Sequence, residues 1–219
     1  MTIRVLLVDD DPLVRSGLRL MLAAAPDIEV AGEAADGTEV PDLTHRLAPD
    51  VVLMDIRMPG MDGLAATERL RALAAPPEVV VLTTFNTDDH VLRALRAGAA
   101  GFLLKDTPPG EIVEAVRRVA LGDPVLSPAV TQRLIAHVTG SSRDTRDARR
   151  RLRALGDRER EVAVAIGRGK TNAEIAADLY LSLPTVKTHV SRILTKLGLN
   201  NRVQIALLAH DARLTDGES

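Results

Sequence analysis

Residues 51–63 read VVLMDIRMPGMDG, and this stretch decides the fold. Val51 to Met54 are four consecutive apolar residues, the pattern of a short strand buried on both faces. Asp55 follows at the carboxyl end of that strand, where open α/β sheets place their ligands. Pro59-Gly60 then forces a turn, because proline fixes φ and glycine tolerates positive φ. Asp62 is placed to cap the next helix, with Gly63 in its first turn. A single carboxylate at a strand tip has three readings: a nucleophile, a metal ligand, or a residue that only ends a strand and caps a loop.

Residues 3–11, IRVLLVDDD, repeat the pattern, with an apolar strand running into Asp9-Asp10-Asp11. If the two strands are parallel neighbours, carboxylates converge at one edge of the sheet. Carboxylates that close raise one another's pKa unless a cation shares the site. Hard oxygen donors of this kind suit Mg²⁺, which keeps several waters and takes one or two carboxylates plus phosphate oxygens. Asp11 precedes Pro12 and reads as a helix N-cap with proline at the first helical position. That leaves Asp9 and Asp10 as metal ligands and Asp55 for chemistry.

Apolar runs near 3–9, 28–34, 51–55, 79–83 and 101–104 alternate with helical patterns over 12–24, 37–47, 62–74, 87–97 and 107–121. Strict alternation of strand and helix implies a parallel sheet covered on both faces. The 219-residue chain fits one large domain or two small ones. Residues 1–125 hold 12 Lys+Arg against 20 Asp+Glu, a balance of −8; residues 126–219 hold 16 against 10, a balance of +6. An acidic front and a basic back imply two domains, the second suited to nucleic acid. The alternative is that the basic excess is only an arginine-rich linker, since 143–153 holds six arginines. There is no cysteine, which excludes disulfides, thiol chemistry and Cys-ligated zinc. No signal-like segment and no long uncharged apolar run is present, so a cytoplasmic chain without a membrane partner is expected.

On VDDD (8–11), DIRMPGMDG (55–63), VLTTF (81–85) and GFLLKD (101–106), the front half resembles the receiver domain of bacterial two-component response regulators. The resemblance implies a flavodoxin-like, doubly wound sheet of five parallel strands in the order 2-1-3-4-5. It implies that Asp55 accepts a phosphoryl group from a sensor histidine kinase. Mg²⁺ would sit between Asp10, Asp55 and the backbone carbonyl of Arg57, with Asp9 helping directly or through water. Thr83 and Lys105, at the ends of the fourth and fifth strands, would hold the transferred group, and Phe102 is the candidate packing switch. A phosphatase of the haloacid-dehalogenase type would carry an acid two residues after its nucleophile; here that position is Arg57, so no enzyme activity is expected. Two departures stand out. Asp106 follows Lys105 where many receivers have a cis proline, so a trans bond is expected. The bulk of Arg57 and Phe85 beside the site predicts a long-lived phosphoryl group.

In the back half, 128–139 reads as a helix, and 140–151, GSSRDTRDARRR, as a solvated linker. Four helices are expected from Leu152 onward, including a capping box at Thr171 and Glu174 and a third helix capped by Ser182. That third helix has an apolar stripe of Leu183, Val186, Val190, Ile193, Leu194 and Leu197. Its other face carries the candidate DNA contacts Thr185, Lys187, Thr188, Ser191, Arg192 and Lys196, with no acid from Leu183 to Leu199. On LGDRERE (155–161), 169–199 and RVQIALLAH (202–210), this half resembles the LuxR-type helix-turn-helix domain, and the whole chain the NarL/FixJ-type response regulators. Gly156 stands where that family usually has a Thr or Ser cap. The resemblance implies a homodimer on two half-sites of double-stranded DNA, formed on phosphorylation. Val203, Leu207 and Leu208 are candidates either for the dimer contact or for the core of one copy. The expected organisation is 1–122 receiver, 123–151 linker, 152–214 DNA-binding domain and 215–219 tail.

Overall fold

The structure, a computed structural model, describes residues 2–73, 75–84, 88–126 and 145–212. Phe85, the helix expected over 128–139 and the tail 215–219 lie outside the described residues. The chain divides into two compact units, 1–130 and 131–219.

The first unit is one parallel sheet in the order β2-β1-β3-β4-β5-β6. Its strands are β1 (Ile3–Val8), β2 (Ile28–Ala34), β3 (Val51–Met54), β4 (Glu78–Thr83), β5 (Gly101–Leu104) and β6 (Val125–Leu126). Helices α1 (Pro12–Ala23), α2 (Val40–Leu47), α3 (Gly63–Arg71), α4 (Asp88–Ala97) and α5 (Pro109–Ala120) connect them. The expected order of five strands is present, and β6 extends it. Two residues are too short to carry a pattern in sequence; β6 exists because Val125 donates to the Ala100 carbonyl at 3.1 Å and pairs with Gly101.

Continuous apolar runs rather than alternation follow from burial on both sheet faces. Val5, Leu7, Val51 and Leu53 pack into one core with Leu18 and Leu22 of α1 and Ile112, Val116 and Val119 of α5. Leu6, Val8, Val52 and Met54 face the other core, with Val40 of α2 and Ala66 and Leu70 of α3. Asp11 caps α1, accepting from the Leu13 amide at 2.8 Å, and Asp62 caps α3, accepting from Ala65 at 2.7 Å.

The second unit has five helices among its described residues: α6 (Thr145–Leu152), α7 (Asp157–Gly167), α8 (Asn172–Asp178), α9 (Leu183–Leu197) and α10 (Arg202–Asp211). The last four are the ones expected. Residues 145–151 read as linker in sequence but form most of α6. Its apolar residues, Ala148 and Leu152, lie one turn apart and are both buried in the core of this unit. The Arg149 Nε donates to the Ala212 carbonyl at 2.9 Å, just past α10, and the Arg151 Nη2 to the Leu197 carbonyl at 2.8 Å, at the end of α9. Guanidinium groups there satisfy carbonyls that have no partner inside the helix and oppose the negative end of the dipole. Arg151→Ala is therefore expected to destabilise this unit by about 1 kcal/mol, read as a lower midpoint in urea unfolding.

Thr171 and Glu174 form the expected capping box of α8, and the Ser182 hydroxyl accepts from the Thr185 amide at 3.3 Å to open α9. Gly156 has no side chain to cap α7, but half of a box remains: the Glu159 carboxylate accepts from the Gly156 amide at 2.9 Å. Val203 and Leu208 are buried within one copy, and Leu207 is half-buried. Among the described residues no helix is long and apolar enough to cross a membrane.

Candidate functional site

Strand register gathers the expected residues at one sheet edge. Val8 lies beside Met54, so Asp9 and Asp55 leave neighbouring strands side by side. Thr83 pairs with Leu104, so Lys105 emerges next to Thr83. Backbone hydrogen bonds fix these positions: Asp9 N donates to the Ala34 carbonyl at 3.1 Å, Asp55 N to Val8 at 2.8 Å and Lys105 N to Thr83 at 2.9 Å.

Asp9 and Asp55 are buried and Asp10 is exposed, with one carboxylate oxygen of each lying within 4.8 Å of the others. The Lys105 ammonium bridges two of them, 2.6 Å from Asp9 Oδ2 and 3.5 Å from Asp55 Oδ2. Asp9 Oδ1 accepts from the Asp11 amide at 3.0 Å. Burial pushes the Asp55 carboxyl above the ordinary carboxylate range; Lys105 opposes this, and the charge of Asp9 adds to it. Thr83 is buried at the strand end and Phe102 is fully buried. Arg57 is exposed in the loop after β3, and the Lys105–Asp106 bond is trans, as expected. This donor set fits Mg²⁺: three hard carboxylates, two of them desolvated with less than one full positive charge each to balance them, and one open to water.

The second unit presents the exposed side of α9. Lys187, Thr188, Ser191 and Arg192 are exposed on one face, while Val186, Ile193 and Leu197 are buried on the opposite one. The Thr188 hydroxyl donates to the Pro184 carbonyl at 2.9 Å, which leaves its lone pairs and methyl group outward. Thr185 and Lys196, also expected contacts, bond within the unit as well. Thr185 shares a 2.8 Å hydroxyl contact with the capping Ser182, and the Lys196 ammonium lies 2.7 Å from Glu159 on α7. His189, on the border of the apolar stripe, is half-buried.

Residues 5–117 match the response regulator receiver domain, and residues 153–209 match the bacterial regulatory proteins of the luxR family. The chain belongs to the LuxR-type response regulators. This response regulator is 42% identical to the transcriptional regulatory protein LiaR of Bacillus subtilis (strain 168), over 98% of this chain and 100% of that one. It is 38% identical to the nitrate/nitrite response regulator protein NarL of Escherichia coli (strain K12), over 96% of each chain. Among solved structures it is similar to the response regulator ChrA of a heme-sensing two-component system, with a TM-score of 0.53 and 39% identity over 97% of this chain and 98% of that one.

The contacts of two residues of the response regulator escaped sequence reading. A Cβ added at Gly63 would stand 1.9 Å from the Asp55 carbonyl oxygen, so α3 can start this close to Asp55 only on glycine. Gly63→Ala is expected to cost roughly 1–3 kcal/mol in chemical denaturation, because the helix must move away from Asp55. Glu159 ties α9 to α7 through Lys196, and that contact holds its carboxyl below the usual range. Its position three residues after Gly156 was the available signal.

Proposed function

We propose that this response regulator accepts a phosphoryl group on Asp55 from the phosphohistidine of a sensor histidine kinase, and that the acyl phosphate controls DNA binding by α9. The observation that carries this is the buried Asp55 carboxylate at the tip of β3, with Lys105 at 3.5 Å and Asp9 and Asp10 beside it. An Asp55 carboxylate oxygen attacks phosphorus, the phosphorus–nitrogen bond breaks, and the imidazole leaves with the electron pair. Asp9, Asp10, Asp55 and the Arg57 backbone carbonyl would hold Mg²⁺, which when bound offsets charge on the phosphoryl oxygens. Lys105 pairs with a phosphoryl oxygen as a point charge, and the Thr83 hydroxyl donates to another. Movement of Thr83 changes the packing around Phe102, which is the switch inside the sheet.

The phosphorylated protein acts as a homodimer in the cytoplasm, each copy placing α9 in a major groove of one half-site. Thr185, Lys187, Thr188, Ser191, Arg192 and Lys196 are the contacts of this proposal; Thr185 and Lys196 also serve the helix cap and the tie to α7. The test is sedimentation of the full chain with Mg²⁺ and acetyl phosphate, together with its retention of fragments from a random double-stranded DNA pool. A dimer with raised DNA retention, absent in Asp55→Asn, is expected. Equal DNA retention with and without acetyl phosphate would overturn phosphorylation control.

A further inference from the structure

The loop between β3 and α3 supplies Arg57 to the proposed cation site; its own backbone closes it, with the Gly63 amide donating to the Ile56 carbonyl at 2.9 Å, and a second hold comes from another part of the chain. Asp36, in the loop between β2 and α2, accepts from the Gly60 amide at 2.7 Å through Oδ2 and from the Met61 amide at 3.2 Å through Oδ1. The same Oδ1 accepts from the Thr38 amide at 2.9 Å and the Thr38 hydroxyl at 2.7 Å, which aims the carboxylate. The Glu39 carboxylate in turn accepts from the amides of Ala35 and Asp36 at 3.0 and 3.1 Å and holds the backbone that presents Asp36. The bonds from Thr38, Met61 and Gly60 keep the Asp36 carboxyl at about 2, ionised at any working pH. None of them reaches Asp9, Asp10 or Asp55. The approach is close: a Cβ added at Gly60 would stand 2.6 Å from Asp36 Oδ2, and its three nearest atoms would all belong to the Asp36 carboxylate.

We propose that Asp36 is a positioning residue for the cation site: by holding the amides of Gly60 and Met61 it sets where the Arg57 carbonyl stands relative to the acidic cluster. This rests on the Mg²⁺ site proposed above. Partners that orient ligands in this way typically contribute 10–100-fold in metal affinity. Asp36 works through backbone placement alone, so its effect belongs at the low end.

The probe is Mg²⁺ itself, titrated calorimetrically into the full-length unphosphorylated protein. Asp36→Ala is expected to weaken Mg²⁺ binding about ten-fold, while the maximal rate of labelling by acetyl phosphate at saturating Mg²⁺ stays close to the wild type. Gly60→Ala should weaken it similarly, because its methyl group must push the Asp36 carboxylate away. In the Asp36→Ala background the three atoms nearest that methyl group are gone, so the double variant should bind no more weakly than either single one. Asp36→Asn keeps the shape and folding of the loop but turns an amide group toward N–H donors, and should shift affinity in the same direction. Lower thermal stability with unchanged Mg²⁺ affinity, or fully additive effects in the double variant, would overturn the role of Asp36. A wild type that takes up no Mg²⁺ would overturn the cation site as well.

Discussion

Asp55→Asn is expected to abolish phosphoryl incorporation completely and, in the presence of a chelator, to melt at a higher temperature than the wild type. The loss follows from chemistry, since an amide oxygen is not a nucleophile for phosphorus. The gain follows from the site. Asp9 and Asp55 are both buried, one oxygen of each lies within 4.8 Å of the other, and Lys105 sits closer to Asp9, at 2.6 Å, than to Asp55, at 3.5 Å. Without a cation, the folded state holds a desolvated charge on Asp55 that the unfolded chain does not. Asp55 binds its proton more tightly folded than unfolded, so at neutral pH it lowers stability, and this penalty is relieved as pH falls toward its raised pKa. Asparagine removes the penalty and that pH dependence. Below about pH 4 the sign reverses: Asp27, bonded to Arg117, and Asp36 are both held at about 2, so their contributions, complete above the unfolded value near 3.8, are lost as pH falls toward 2. Thermal unfolding from pH 7 to pH 3 in chelator checks both halves. An Asp55→Asn protein no more stable than wild type at pH 7 would contradict the electrostatics of the site.

The double variant Lys187→Ala/Arg192→Ala is expected to lose at least about 100-fold in specific DNA affinity while remaining folded. Both side chains are exposed on the face of α9 opposite its buried Val186 and Ile193, so neither replacement leaves a cavity. A side chain that reads a base edge contributes about 1–3 kcal/mol. A side chain that pairs with a phosphate adds about 0.9 to the dependence of log K on log salt. The single variants separate these roles: a base reader loses preference among sequences, and a phosphate contact weakens all sequences alike and flattens the salt dependence. Binding within a few-fold of wild type would move the DNA contact off this face. Competition titrations against non-specific duplex at several salt concentrations would measure it.

The fold was legible because the strands announce themselves twice. Val5 to Val8 and Val51 to Met54 are uninterrupted apolar runs since successive residues feed opposite cores, and each run ends in an acid that a buried strand would not otherwise place there. Punctuation was equally clear where side chains cap helices, at Asp11, Asp62, Thr171 and Ser182. What sequence did not reveal depends on partners far away in the chain. The strand β6 is defined by pairing with Gly101 and Phe102, not by its own two residues. The helix α6 looked like a solvated arginine run because two of its arginines act on carbonyls at Leu197 and Ala212, 46 and 63 residues away. That the exposed Lys196 also pairs with Glu159 was hidden because Glu159 lies on another helix. The same holds at the acidic cluster: Asp9, Asp55, Thr83 and Lys105 could be found from strand ends, whereas the glycine contact of Gly63 and the reach of Asp36 to Gly60 exist only once the loops are folded.

The most direct test is to find where the phosphoryl group goes. The full chain is incubated with Mg²⁺ and acetyl phosphate, reduced with borohydride, digested and sequenced by mass spectrometry; reduction converts an aspartyl phosphate to homoserine. Homoserine at position 55 and at no other aspartate, absent without Mg²⁺, is the expected result. Homoserine at position 9 or 10, or none anywhere, would contradict the assignment of Asp55 as the acceptor.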